Sequence, residues 1–295
     1  MAEQNASITG SSEDYYINGS SNGSSGVHYE DEWSRQMREL YRKYLSADLY
    51  FADSLIFMII SAIEIPIMIL TLFALCALIK SHRSTPVFVI HLILSDLIQI
   101  ICRLTWTIKR SGGATITYAL NAYYYSLIAG LYFMACVAFE RYLLVSHPIW
   151  YRSHHSLKVC CVVSVIIWFV PLIFADVYSD RLFSYLSRFI GCLIPYPIVI
   201  LCFVGTCRGL SRTISLTSLK RKKILGSLFL VLLTYTFLIL PNIILTFIID
   251  NFDSYNSFTS FHIFAYLSRY LVFLNPLADC VLYMFLRPDV GGLMK

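Results

Sequence analysis

The sequence predicts an all-α membrane protein, a seven-transmembrane helix bundle with its N-terminus outside and its C-terminus inside. Three observations predict it. The 295 residues are 57% hydrophobic and only 14% charged, with a mean hydropathy of +0.65, well outside the soluble range. The apolar residues fall in seven long blocks, each close to or above the ~20 residues that cross a bilayer as a helix. Basic residues are uneven between the two sets of loops: thirteen follow the first, third and fifth blocks or lie in the tail, and four lie in the loops between.

The blocks are Ser54–Ile79, Pro86–Thr107, Tyr118–Phe139, Val159–Ala175, Phe189–Cys207, Ile224–Ile249 and Phe261–Leu286. Backbone in lipid must satisfy its own hydrogen bonds, so each is predicted to be a helix. Residues 1–53 form an extracellular tail, too poor in apolar residues over 1–26 to fold alone. Within the tail, Trp33, Met37, Leu40, Tyr41, Tyr44 and Leu45 recur at helical spacing between charged residues. The stretch 31–48 therefore reads either as an amphipathic surface helix or as an extension of the first span. Arg35, Arg38, Arg42 and Lys43 oppose an outer N-terminus locally, while the sequons at Asn5, Asn18 and Asn22 favour it and predict glycosylation. No cleavable leader is expected, because the first thirty residues are polar. The nine cysteines lie in the blocks or at their ends, so no disulfide is expected. Residues 287–295 form a short cytoplasmic tail without Ser, Thr or Cys, which leaves phosphorylation to the third inner loop.

Ionisable groups inside a membrane are costly, and they mark function more often than packing. Here they are Glu64, Asp96, Arg103, Arg269 and Asp279, with Glu140 and Arg141 where the third block meets the cytosol. For Arg103, snorkelling to a headgroup is the competing structural reading.

The residues then carry a resemblance. Glu140-Arg141-Tyr142-Leu-Leu-Val145-Ser-His-Pro148-Ile-Trp-Tyr151 resembles the Asp/Glu-Arg-Tyr-x-x-Val-x-x-Pro-x-x-Tyr signature of rhodopsin-like (class A) G-protein-coupled receptors. Ser95-Asp96-Leu97 is similar to the second-span aspartate motif, Trp168 to the fourth-span tryptophan, and Pro195 and Pro241 to the fifth- and sixth-span prolines. Near the end of the chain, reading from Asp279 gives Asp279-Cys280-Val-Leu-Tyr283-Met-Phe285. This resembles the Asp-Pro-x-Leu-Tyr-x-Phe variant of the nucleotide, lipid, protease-activated and proton-sensing branch. Reading from Asn275-Pro276 instead would put Asp279 where the family keeps tyrosine. The chain departs from the family at Met68, Ile116, Phe203, Ile239 and Cys280, each an apolar residue where a polar or rigid one is usual.

The resemblance implies a receptor in the plasma membrane, multi-pass, whose partners are an extracellular ligand, a heterotrimeric G protein and membrane lipid, with no nucleic acid. Glu140, Arg141, Tyr142 and Tyr283 would form the coupling switch. Asp96, Asp279 and Asn275 would form a polar core that holds either a sodium ion or a shared proton, because two adjacent carboxylates in low dielectric do not both stay ionised alone. No other cofactor or metal is implied. The expected ligand pocket comprises Arg269, Arg103, Tyr123, Tyr124 and Thr246, suited to an anionic lipid, a nucleotide or a peptide. Tyr123 stands where amine receptors keep aspartate, and Phe273 where opsins keep lysine, which argues against both ligands. The five departures motivate an alternative, a receptor-like protein that binds ligand or partners without coupling. An enzyme is not expected, since no nucleophile and base pair or metal-ligand spacing is present.

Overall fold

The computed structural model describes residues 32–80, 86–108, 114–154, 156–174, 181–212, 218–251 and 259–286. The sequons, Lys109, Arg110 and residues 287–295 lie outside the described residues. Two compact units divide the chain, Met1–Tyr50 and Phe51–Lys295. In the first, the described backbone is helical from Glu32. The second holds the site. Among the described residues the chain forms helices and no strand: α1 (Glu32–Lys80), α2 (Val87–Ile108), α3 (Ala114–Ser146), α4 (Pro148–His154), α5 (Leu157–Ile173), α6 (Arg181–Leu193), α7 (Pro195–Arg212), α8 (Ser218–Leu233), α9 (Leu240–Asn251), α10 (Thr259–Phe273) and α11 (Asn275–Leu286). Five stretches are long and apolar enough to cross a membrane: Phe51–Ala77, Val87–Ile108, Thr117–Ser146, Leu186–Leu210 and Lys222–Ile248. The fourth predicted block is the shorter apolar helix α5, and the seventh is divided between α10 and α11.

From Phe51 onward the faces of α1 are those of a helix in lipid. Its buried stripe is Asp53, Phe57, Ser61, Glu64, Met68, Thr71 and Leu75, a three-and-four spacing that carries the polar side chains. Leu70 and Phe73, on the other face, are 67% and 71% exposed. A water-soluble helix would show the reverse, with apolar side chains inward. α5 repeats the pattern in brief, burying Cys160, Ser164, Ile167 and Pro171. Ser156 caps its start by accepting the Val159 N–H at 3.3 Å.

α3 runs through the core, and Phe133, Met134 and Ala138 on it are fully buried. It packs on α2, α5 and α7. A Cβ added at Gly205 of α7 would stand 2.5 Å from the Tyr142 ring, so glycine is what lets α7 close on α3.

Among the described residues three spans contain breaks, each at a proline. The predicted block Phe189–Cys207 crosses the turn at Ile194 that separates α6 from α7, where Pro195 opens the new helix without needing an N–H partner. In the seventh span the Leu274 N–H bonds the Leu271 carbonyl at 3.1 Å, a tightened last turn that ends α10 before Asn275-Pro276 starts α11. Thr234–Ile239 is a π-helical segment between α8 and α9, with the Leu240 N–H bonding the Tyr235 carbonyl five residues back. Pro241 follows at once. Its ring collides with the carbonyl four residues earlier in a regular helix, and the wider π turn relieves that collision.

Candidate functional site

Side chains of functional character gather at three levels along the bundle. At one end, α3 carries Glu140, Arg141 and Tyr142 in its last two turns, and the chain turns at His147 into α4. Tyr151 of α4 donates its hydroxyl to Glu140 Oε1 at 2.9 Å. Burial and the Glu140 carboxylate together push the Tyr151 phenol well above its ordinary value, so it stays the donor in that bond. The Tyr142 ring lies edge-on to His147, with centroids 5.9 Å apart, and covers Gly205. Tyr283 of α11 is buried in the main core with Met68 and Leu92.

The middle level is a polar core. Asp96 of α2 and Asp279 of α11 are buried next to each other. Gln99 Nε2 donates to Asp96 Oδ1 at 3.3 Å, and Asn275 Nδ2 donates to Asp279 Oδ2 at 3.2 Å. Asp96 Oδ2 and Asn275 Oδ1 are buried acceptors with no hydrogen-bond donor from the protein. Helix α11 begins with Asn275, and the i to i+4 spacing sets its amide over Asp279. Cys280 follows Asp279, with its sulfur 3.9 Å from that of Met68. Two positions that depart from the family pattern thus pack on each other, a thiol against a thioether, immediately beside the carboxyl groups.

Seven residues from Asp96, about 10 Å of helix, Arg103 pairs with Glu64 of α1, both side chains being 1% exposed. Arg103 Nη1 also donates to the Phe273 carbonyl at 3.0 Å, and its guanidinium carbon lies 4.9 Å from the Phe273 ring centroid. That carbonyl belongs to the last residue of α10, where helix carbonyls need outside donors. Arg103 therefore caps the broken seventh span while neutralising the first. Around it Phe57, Trp106, Tyr123 and Phe273 pack edge to face, with Phe57 and Phe273 centroids 4.8 Å apart and Trp106 and Tyr123 5.4 Å apart. Tyr270 donates to Asp53, linking the seventh span to the first again.

The third level is a cleft with about 550 Å³ of empty space between α3, α6 and α9. Tyr124, Leu127, Arg188, Phe189, Cys192, Asn242, Ile243, Thr246 and Phe247 line it. On α3, Tyr124 precedes Glu140 by sixteen residues, about 24 Å of helix, so the cleft and the Glu140 group sit toward opposite ends. Of the five residues expected to form a pocket, Tyr124 and Thr246 line this cleft. Tyr123 is enclosed in the aromatic cluster, Arg103 is turned to Glu64, and the Arg269 side chain is exposed. Sequence reasoning counted Arg188 only as a loop charge and passed over Glu64 as the partner of Arg103. For Glu64 a signal existed: with Asp53, Ser61 and Thr71 it falls on one helical face. For Arg188 no local signal existed, because its neighbours come from three helices.

A second cluster ties the fifth span to the π segment. Tyr235 donates its hydroxyl to the Cys192 carbonyl in the last turn of α6. Tyr196 stacks on Tyr235 at 5.0 Å, and its hydroxyl meets Thr236 Oγ1 at 3.1 Å. Among the described residues no group of three or more His, Cys, Asp or Glu is arranged to hold a metal ion.

Comparison with known proteins agrees with this architecture. Residues 67–179 match the family model described as the 7 transmembrane receptor (rhodopsin family). Purinoceptor 8 of Gallus gallus is 24% identical over 204 residues, a match that spans 57% of this chain and 57% of that receptor. Joined to an all-helical bundle with apolar membrane-crossing helices, these matches support a rhodopsin-like, class A receptor, a multi-pass membrane protein and not an enzyme.

Proposed function

We propose that the protein is a plasma-membrane G-protein-coupled receptor that carries an extracellular signal to a heterotrimeric G protein, with its N-terminus outside. One observation supports this reading above the others: Glu140, Arg141 and Tyr142 end α3, and Tyr151 of α4 holds Glu140 by a 2.9 Å hydrogen bond. In that role Arg141 receives the G protein once the Tyr151 and Glu140 contact loosens. Tyr283, one helical turn beyond Asp279, joins it. A ligand at the far end transmits only as much as its affinity differs between the two conformations. Nucleotide exchange on purified G protein, with Arg141→Ala beside the parent, tests the proposal. A parent that drives exchange and a variant that does not supports it. Equal rates, or none in either, favour the alternative of a receptor-shaped protein that binds without coupling.

The polar core fits a sodium ion. Asp96 Oδ2 and Asn275 Oδ1 are acceptors unmet by the protein, and the neighbouring Asp279 brings a second carboxyl group. Bound there, sodium supplies the positive charge that two adjacent carboxylates lack. If it does, agonist affinity depends on sodium in the parent, and Asp96→Asn removes the dependence.

A further inference from the structure

The cleft between α3, α6 and α9 is walled chiefly by carbon. Phe189 and Phe247 stack with centroids 4.3 Å apart to form one side, and Leu127 and Ile243 contribute aliphatic surface. Asn242 and Thr246 add short polar groups. Such a lining favours an occupant that brings apolar surface of its own. Arg188 adds a charge of a chemistry that selects anions, since a guanidinium is always charged and presents its donors as a planar fork.

The position of Arg188 is set by α3. Its guanidinium carbon lies 4.9 Å from the Tyr124 ring centroid, and Nη2 donates to Asn121 Oδ1 at 3.4 Å. Stacking on a ring fixes the plane of the fork without using its in-plane donors. Two other arginines were candidates for the same task. Arg103 is buried against Glu64 and the Phe273 carbonyl, and Arg269 is not among the lining residues. Among the described residues, one cation lines the cleft. One guanidinium matches one anionic group. A nucleoside triphosphate would bring several charges into an apolar cleft, and the unmatched ones would carry the full desolvation cost.

We infer that the cleft binds an anionic amphiphile, a molecule with a single carboxylate, sulfate or phosphate-ester head group held by Arg188 and an apolar body laid against Leu127, Phe189, Ile243 and Phe247. The inference rests on the receptor reading above and names the ligand class of that receptor's pocket.

The test uses the full chain in phosphatidylcholine nanodiscs and reads melting temperature against titrated oleate. Oleyl alcohol, which has the same tail without the charge, and ATP are run in parallel. Oleate is expected to stabilise the parent, and Arg188→Gln to weaken that binding about tenfold or more, the worth of a charge-assisted hydrogen bond. Arg269→Gln is expected to bind like the parent. Thr246→Trp, which narrows the cleft and leaves Arg188 in place, should also block oleate. Oleyl alcohol and ATP should leave the melting temperature unchanged. Equal oleate stabilisation of the parent and Arg188→Gln overturns the inference, as does no stabilisation of the parent, or ATP stabilisation that Arg188→Gln removes. The measurement contains no G protein, so the two readings fail separately. A protein that drives nucleotide exchange yet ignores oleate refutes the ligand class alone, while one that binds oleate through Arg188 and drives no exchange refutes only the coupling.

Discussion

Replacing Glu64 by leucine should destabilise the protein more than replacing both Glu64 and Arg103 by apolar residues. The pair is buried at 1% exposure on each side and is incompletely bonded, because Glu64 Oε1 and Arg103 Nε have no hydrogen-bond partner. A buried ion pair repays its desolvation only when the remaining donors and acceptors are met, and otherwise apolar replacement of both members is close to neutral. Removing one member is different. Glu64→Leu strands a guanidinium that has no neutral form, at a cost of about 3–5 kcal/mol. Arg103→Met strands a carboxyl group, which has a neutral acid form, and so costs less. The double variant Glu64→Leu/Arg103→Met loses the pair without stranding a charge. It leaves the Phe273 carbonyl without the Arg103 donor seen at 3.0 Å, worth about 1–2 kcal/mol. The second substitution therefore rescues the first.

The assay is thermal unfolding in detergent, followed with a thiol-reactive fluorophore that reports exposure of the buried Cys102, Cys160, Cys192, Cys202 and Cys280. At about 2–4 °C per kcal/mol for a chain of this size, Glu64→Leu should lower the transition by roughly 6 °C or more, and the double variant by roughly 2–8 °C. The double variant must melt above Glu64→Leu. If the losses of the two single variants simply add, the side chains do not interact in the folded protein and the capping of α10 by Arg103 is wrong with them.

Three other outcomes follow from the breaks and close contacts. A π turn holds one residue more than an α turn, so deleting lipid-facing Phe237 (64% exposed) should be tolerated, while deleting Phe229 (55% exposed) from regular α8 should rotate the rest of the span and abolish the folded fraction on size-exclusion chromatography. Tyr235→Phe removes the donor to the Cys192 carbonyl, and melting should show a loss of about 1–3 kcal/mol; Tyr196→Phe, whose bond to Thr236 is less buried, should lose less. Gly205→Ala would set a Cβ 2.5 Å from the Tyr142 ring, so the ring must move, and melting should fall by about 1–3 kcal/mol, with recovery when Tyr142→Ala is added.

The seven-block reading and the inward placing of Asp96 and Asp279 were legible because lipid makes polarity expensive one residue at a time, a cost visible in a single strand of sequence. Pairing was less legible. Glu64 and Arg103 are thirty-nine residues apart, and their meeting depends on how α1 is rotated against α2. Even so, the polar stripe Asp53, Ser61, Glu64 and Thr71 does fix that rotation, and reading it would have predicted a partner for Arg103 on α1. The breaks divide on the same principle. Pro195, Pro241 and Pro276 each announce a disturbed helix, yet a proline leaves the manner of its accommodation open: a turn at Ile194, a π segment before Pro241, and a 3₁₀ turn with an arginine cap before Pro276. What decides among them is which neighbour can satisfy the freed carbonyls. At α10 it is Arg103, and at α6 it is Tyr235. In both places the side chain that meets the broken backbone comes from another span, and so each break is also a joint between spans. An ordinary apolar residue at Ile239, where the family keeps tryptophan, is then less of a loss to signal transfer, because the movable contact of the sixth span lies one turn away in Tyr235 and its hydroxyl.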